Sequence, residues 1–278
     1  MSGAKADYEK YMLSTGTHWI SNSGSDENGK YTGGAAGDQN GKEWRLKAWY
    51  DRPWTVILRW PDQAVAERLA ELAVDAALND KVGYDQFQRT TYWQELQKAG
   101  YDPSKIAAAC EADCTAGVSA NVRAAGHIFG IKALQDVPIC TSRNMRAEFA
   151  KAGFQALTAS KYLTGGGWLL PGDVLLYENH HAATNVTVGE KVKVEWTPGA
   201  GAEGSAPTDD ANTRYIEITG GSVYVLKGQW TGYGSMGVAH KGDRLRWFGY
   251  VYANGWPLVE YRGQTGWVSG KYGKIEEG

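Results

Sequence analysis

Apolar residues recur at helical spacing over Gln63–Leu78, where Ala64, Val65, Leu69, Leu72 and Val74 lie near one stripe and Asp62 stands at the N-cap position. This is the clearest helix of the chain. A shorter one is predicted over Tyr92–Gln97, ended near Gly100. A third begins at or just after Asp113 and runs through CTAGVSANVRAAG, with Val118, Val122 and Ala125 on its apolar stripe and Gly126 or Gly130 as its stop. Ser142–Ala152 predicts a fourth, with Gly153 just past its end. Two strands follow, Gly172–Tyr177 and His181–Val188, joined by ENH, after which Gly189-Glu190 can turn the chain into KVKVEW. Ahead of the first helix, residues 18–60 are dense in Gly, Asn, Asp and Trp, a pattern of loops and short irregular strands punctuated at Pro53.

The pattern breaks at Thr197–Thr213. TPGAGAEGSAPTDDANT has almost nothing to bury and reads as a linker. Beyond it, Tyr215–Ile275 alternates apolar and polar residues in short runs broken by glycine, which predicts a small all-β barrel. The expected organisation is an α+β domain over residues 1–196, irregular over its first 60, then a linker over 197–213 and a barrel over 214–278.

Composition narrows the function classes. Charged residues make up 22% of the 278 and the formal net charge is −2, so no long-range pull toward nucleic acid or an anionic membrane exists. No stretch approaches the length of a membrane span, which excludes membrane insertion through a helix. Met1–Thr17 lacks the apolar core of a secretion signal, so the expectation is synthesis in the cytoplasm and another route outward. Gly (36), Trp (12) and Tyr (16) are abundant while Phe is scarce at 5, which favours turns, short strands and surfaces that stack on sugars or peptides.

Three cysteines, Cys110, Cys114 and Cys140, are too few for a disulfide framework. Cys114 stands where a helix is predicted to begin, and the unpaired N–H groups and dipole of a first turn lower a thiol pKa. Asp113 can cap that helix, although its charge opposes thiolate formation. His181 opens a strand after a tight turn, a rigid position suited to a base; His180 and His181 should point to opposite faces of that strand. Zinc held by Cys110, Cys114, His180 and His181 is the metal alternative. Adjacent histidines diverging from one strand close a tetrahedron poorly, so no metal is expected.

The segment EADCTAGVSANVRAAG resembles the nucleophile segment of NlpC-type cysteine peptidases, and LLPGDVLLYENHHAATNVTVG resembles their following hairpin. GDQNGKEW, WYDRPW, GYDQFQRTTYW and ACEADCTAGV are similar, more narrowly, to segments of phage endolysins, and they occur in the family's order across most of residues 18–190. The resemblance implies a papain-like core of helices packed on a small antiparallel sheet. It also implies Cys114 as nucleophile, His181 as base, and Tyr84 near the nucleophile and substrate, with Asp113 beside them. Thr115-Ala116 stands where the family has Ser-Gly. A third polar residue orients the histidine in many relatives; Glu195 in KVKVEW is the nearest candidate, an even hairpin register turns it away, and the third member stays open. The segment GWPLVEYRGQTGWVSGKY resembles bacterial Src-homology-3-type wall-binding domains, with Tyr233 or Tyr250 available to a ligand.

The implied activity is hydrolysis of an amide bond in the stem peptide of bacterial peptidoglycan, as an endopeptidase that acts at the wall after phage-type release or export. The same dyad would serve an N-acetylmuramoyl-L-alanine amidase. A non-catalytic wall-binding or phage structural protein is the alternative from another class. Thiol chemistry of this kind needs no cofactor.

Overall fold

Asp62 caps the first helix, α1 (Gln63–Leu78), by accepting the Val65 N–H, and the predicted stripe of Val65, Leu69, Leu72 and Val74 is buried. The computed structural model describes residues 17–192, 214–229, 233–251 and 255–276. Its chain divides into two compact units, Met1–Glu190 and Lys191–Gly278.

In the first unit α1 is followed by α2 (Thr91–Lys98), α3 (Cys114–Phe129), α4 (Lys132–Gln135), α5 (Met145–Ala152) and α6 (Ser160–Leu163). The third helix runs through Gly126 and stops at Gly130, whose φ of +68° is the left-handed cap that glycine adopts without strain. The strands are β1 (Trp19–Ser23), β2 (Trp44–Ala48), β3 (Val56–Arg59), the short parallel pair β4 (Val82–Gly83) and β5 (Cys110–Glu111), β6 (Gln155–Leu157), β7 (Val174–Tyr177) and β8 (His181–Asn185). Six of them form one antiparallel sheet in the order β2-β1-β8-β7-β3-β6. Half of this sheet, β1, β2 and β3, comes from residues 18–60, the stretch predicted to hold loops and short irregular strands.

Ile20, Ile57, Leu175 and Ala183 share an apolar cluster with Trp54 and Leu169 on one face of the sheet. Alternation sends Val56, Leu58, Val174 and Leu176 to the other face, where they are equally buried, so both faces are covered. Helices α1 and α3 pack on each other; α1 also packs on β1 and β2, and α3 on β8. Gly117 of α3 permits this approach: a Cβ there would lie 2.4 Å from the Trp44 indole. That indole donates to Ser21 Oγ (2.8 Å), and Ser21 donates to the Ala73 carbonyl (2.7 Å), tying β2, β1 and α1 together.

The second unit contains β9 (Tyr215–Ile218), β10 (Ser222–Leu226), β11 (Ser235–His240), β12 (Arg244–Val251), β13 (Pro257–Tyr261), β14 (Gln264–Trp267) and β15 (Gly273–Ile275). They form a seven-stranded antiparallel sheet in the order β11-β10-β14-β13-β12-β9-β15 over a core of Ile216, Ile218, Val225, Val259 and Val268. Among the described residues its outer strands, β11 and β15, do not pair with each other.

The expected fold class, an α+β chain with a papain-like core of helices on a small sheet followed by a small all-β barrel, is therefore corrected. The chain has a mixed α/β unit built on a six-stranded antiparallel sheet, and its second sheet is large and open rather than closed. Tyr233 lies with its ring against Gly228, where a Cβ would fall 2.3 Å away. The Tyr250 side chain, Glu195 and the predicted linker lie outside the described residues. Among the described residues no helix is long and apolar enough to cross a membrane.

Candidate active site

Helix α3 begins at Cys114 because Asp113 caps it. One carboxylate oxygen of Asp113 accepts from the N–H groups of Thr115 (2.9 Å) and Ala116 (2.7 Å). The other meets Arg89 Nε at 2.6 Å, and Arg89 also donates to the Cys140 carbonyl and to Thr115 Oγ1. The charge that would oppose a thiolate is thus partly met by a guanidinium.

The Cys114 thiol is half-buried. Helix α3, which it opens, packs on β8, the strand that His181 opens. Burial pushes the thiol up to about 11, with Asp113 adding to the rise; Ala182, Thr115 and Arg52 pull the other way. Helix placement alone predicts the opposite direction, so desolvation outweighs the dipole here.

His181 is buried, and burial presses its imidazole down to about 3, with Arg52 and Lys47 acting in the same direction and Asp113 against it. At neutral pH both candidate groups are therefore uncharged. Imidazole Nε2 lies 2.8 Å from Asn22 Oδ1, which also accepts the Tyr50 hydroxyl at 3.0 Å. An amide oxygen only accepts, so Nε2 carries the hydrogen and Nδ1 is left with its lone pair. Trp54 covers the ring, with centroids 6.0 Å apart.

Asn22 was not predicted. The resemblance points downstream of His181, to Glu195, whereas the partner lies on β1, 159 residues upstream. Strands β1 and β8 pair as Ile20↔Asn185 and Ser21↔Thr184. Continuing that register sets Asn22 beside Ala183, on the face that His181 shares and diagonal to it. Only the sheet order reveals this, and no local motif marks it.

Tyr84 is buried near the thiol. Burial raises its hydroxyl pKa, and the charges of Cys114 and Asp113 add to the rise. Its oxygen accepts from Gln86 Nε2 at 3.1 Å, and its ring lies 6.5 Å from that of Tyr31. Cys114, His181, Tyr84 and Asp113 therefore fall in one neighbourhood. His180 turns away and stacks on Tyr177 at 4.2 Å. Cys110 and Cys140 are buried free thiols directed at the carbonyls of Lys81 and Pro138. Among the described residues no three His, Cys, Asp or Glu side chains converge to hold a metal.

A capped helix that opens with a cysteine thus packs on a strand that opens with an oriented imidazole, in a mixed α/β unit. Residues 20–192 match the endolysin-like domain family, and the chain belongs to that family. Membership is consistent with hydrolase activity in general. The match spans β1 to just past β8, with Asn22, Tyr84, Asp113, Cys114 and His181 inside it and the second sheet outside. No curated protein and no solved structure matches the chain.

Proposed function

We propose that the protein is a peptidoglycan endopeptidase that cleaves an amide bond of the wall's stem peptide, with Cys114 as nucleophile and His181 as general base. The observation that supports this reading is the packing of α3, which starts at Cys114, on β8, which starts at His181, while His181 is held through Nε2 by Asn22. The chemistry is that of the cysteine peptidases the sequence resembles, set in a different sheet.

The neutral thiol and neutral imidazole fix the order of events. As the sulfur attacks the amide carbonyl carbon, its proton passes to His181 Nδ1, and the carbonyl π pair moves to oxygen. Asp113 occupies the Thr115 and Ala116 N–H groups, so the oxyanion is assigned the Cys114 N–H and the Tyr84 hydroxyl. Gln86 donates to the Tyr84 oxygen, which leaves the phenolic proton for the substrate, and the raised pKa keeps that proton in place. Collapse breaks the C–N bond while the imidazolium protonates the leaving amine. His181 then takes a proton from water, hydroxide attacks the thioester, and the sulfur leaves and is reprotonated.

The second sheet is assigned the role of holding the enzyme on the wall, on the resemblance of its GWPLVEYRGQTGWVSGKY segment to wall-binding domains. Its removal should weaken lysis of whole walls more than turnover of soluble peptide. The test of the activity is mass spectrometry of Gram-positive walls digested by the wild type and by Cys114→Ala. Fragments that vanish with the substitution support the cysteine hydrolase, and their new termini name the bond. A cut between muramic acid and the first alanine would make it an amidase. No cleavage of several wall types by either protein would favour a binding or structural role.

A further inference from the structure

Two cations, Lys47 and Arg52, flank the Tyr50 ring, and a third, Arg45, stands near Lys47. Arg45 and Lys47 project from one face of β2, two residues apart, and Arg52 follows in the β2–β3 connection. Lys47 Nζ lies 4.2 Å over the Tyr50 ring, and the Arg52 guanidinium lies 5.9 Å from it. Among the described residues none of the three enters an ion pair. Their mutual repulsion shows at Lys47, whose pKa is lowered by burial and then by Arg45 and Arg52. Half-buried like charges without a counter-charge are costly, and a chain of net charge −2 has carboxylates to spare for them.

The cluster touches the reacting centre. Arg52 Nη1 donates to the Tyr50 hydroxyl (3.4 Å), Tyr50 donates to Asn22 Oδ1, and Asn22 holds His181. An anion bound at Arg52 and Lys47 would therefore sit one phenol ring from the Asn22–His181 bond, on the same molecule whose amide is cut. We infer that Arg52 and Lys47 form an anion subsite that takes a carboxylate of the substrate peptide next to the scissile amide. The peptide identity of the ligand rests on the hydrolase reading above; the cation cluster does not. Arg52 suits a planar carboxylate through paired N–H donors, and Lys47 adds a point charge.

The test uses three stem tetrapeptides that are identical except for one group. One has free carboxylates, one has its internal α-carboxylate as carboxamide, and one has its C-terminal carboxylate as carboxamide. The wild type should lose about 10- to 100-fold in kcat/KM on one of the two amidated peptides, the range of a charge-assisted hydrogen bond. Arg52→Gln should bring that ratio near one, and Arg52→Lys should restore part of it. An arginine that acts only through Tyr50 would lower all three rates by one factor. Equal wild-type rates on all three peptides would overturn the subsite. If no peptide is cleaved, the hydrolase reading fails and calorimetry on the Cys114→Ala protein decides the subsite. Tighter binding of the carboxylate peptide, abolished by Arg52→Gln, would support it; binding that is absent or indifferent to amidation would overturn it.

Discussion

Replacing Asn22 by alanine removes the acceptor of two hydrogen bonds, from His181 Nε2 (2.8 Å) and from the Tyr50 hydroxyl (3.0 Å). In the resting protein His181 is neutral, and without Asn22 either tautomer becomes available, which by itself halves the competent population at most. The larger effect arises in the transition state. As His181 takes the thiol proton it becomes an imidazolium, and its Nε2–H···Oδ1 bond becomes charge-assisted, a strengthening of about 1–1.5 kcal/mol over the neutral bond. Dividing by the ~1.4 kcal/mol that corresponds to a factor of ten gives an expected fall in kcat of about 5- to 12-fold. KM should change little, because the lost bond faces the imidazole and not the substrate. Asn22→Asp is the informative companion: a carboxylate there favours the imidazolium, so the acid limb of the pH–rate profile should move up from about 3 toward the ordinary histidine range. The assay is steady-state hydrolysis of a soluble stem peptide across pH, with circular dichroism showing that both variants are folded. A folded Asn22→Ala protein that keeps kcat within about threefold of wild type would refute the orienting role.

Three further outcomes follow from the charge states. Alkylation of Cys114 by iodoacetamide in the free protein should keep rising with pH through about 11, because only the thiolate reacts; saturation below pH 8 would show that the dipole outweighs burial after all. Glu67, fully buried on α1 and bonded to Gln63, is raised to about 8, so the fold holds its proton while the unfolded chain releases it above about 4.5; its contribution to stability is lost as pH climbs between those values. Glu67→Gln should therefore stabilise the protein by on the order of 3 kcal/mol at pH 8 and hardly at pH 4, read by urea melts at both, and equal effects at the two values would contradict it. Arg59→Leu strands Asp173, which is 1% exposed and bonded to that guanidinium at 2.6 and 2.8 Å; a loss of about 3–5 kcal/mol at pH 7, shrinking once Asp173 is protonated, is expected in the same melts.

What the sequence reveals here is local. The α1 stripe and its Asp62 cap are adjacent in the chain, and so are Asp113, Cys114 and the turn they build, which is why both helix starts could be read directly. The fourth predicted helix starts three residues late, at Met145, because Asn144 bonds back to Thr141 and holds that segment as a turn. The long-range features could not be read. Strands β1, β2 and β3 are four or five residues each, set among glycines and tryptophans, too short for alternation to stand out. They are strands because β7 and β8 pair with β3 and β1 from more than a hundred residues away. Asn22 was hidden for the same reason. The burial that raises the Cys114 thiol also comes from packed neighbours and not from the helix that a sequence reading sees. Alternation in the second unit marks strands but is silent on whether edge strands β11 and β15 meet, so the closed barrel was an inference from pattern that the register overturns.

Nucleophilic catalysis by Cys114 requires a covalent bond from the substrate acyl group to its sulfur. The most direct measurement is intact-protein mass spectrometry of the enzyme quenched in acid during turnover of a soluble stem peptide, followed by peptide mapping. The proposed chemistry predicts a transient mass increment equal to the acyl half of the substrate, mapped to Cys114 and absent in Cys114→Ala together with turnover. Turnover that persists undiminished in Cys114→Ala would contradict it, and would place the chemistry on other residues.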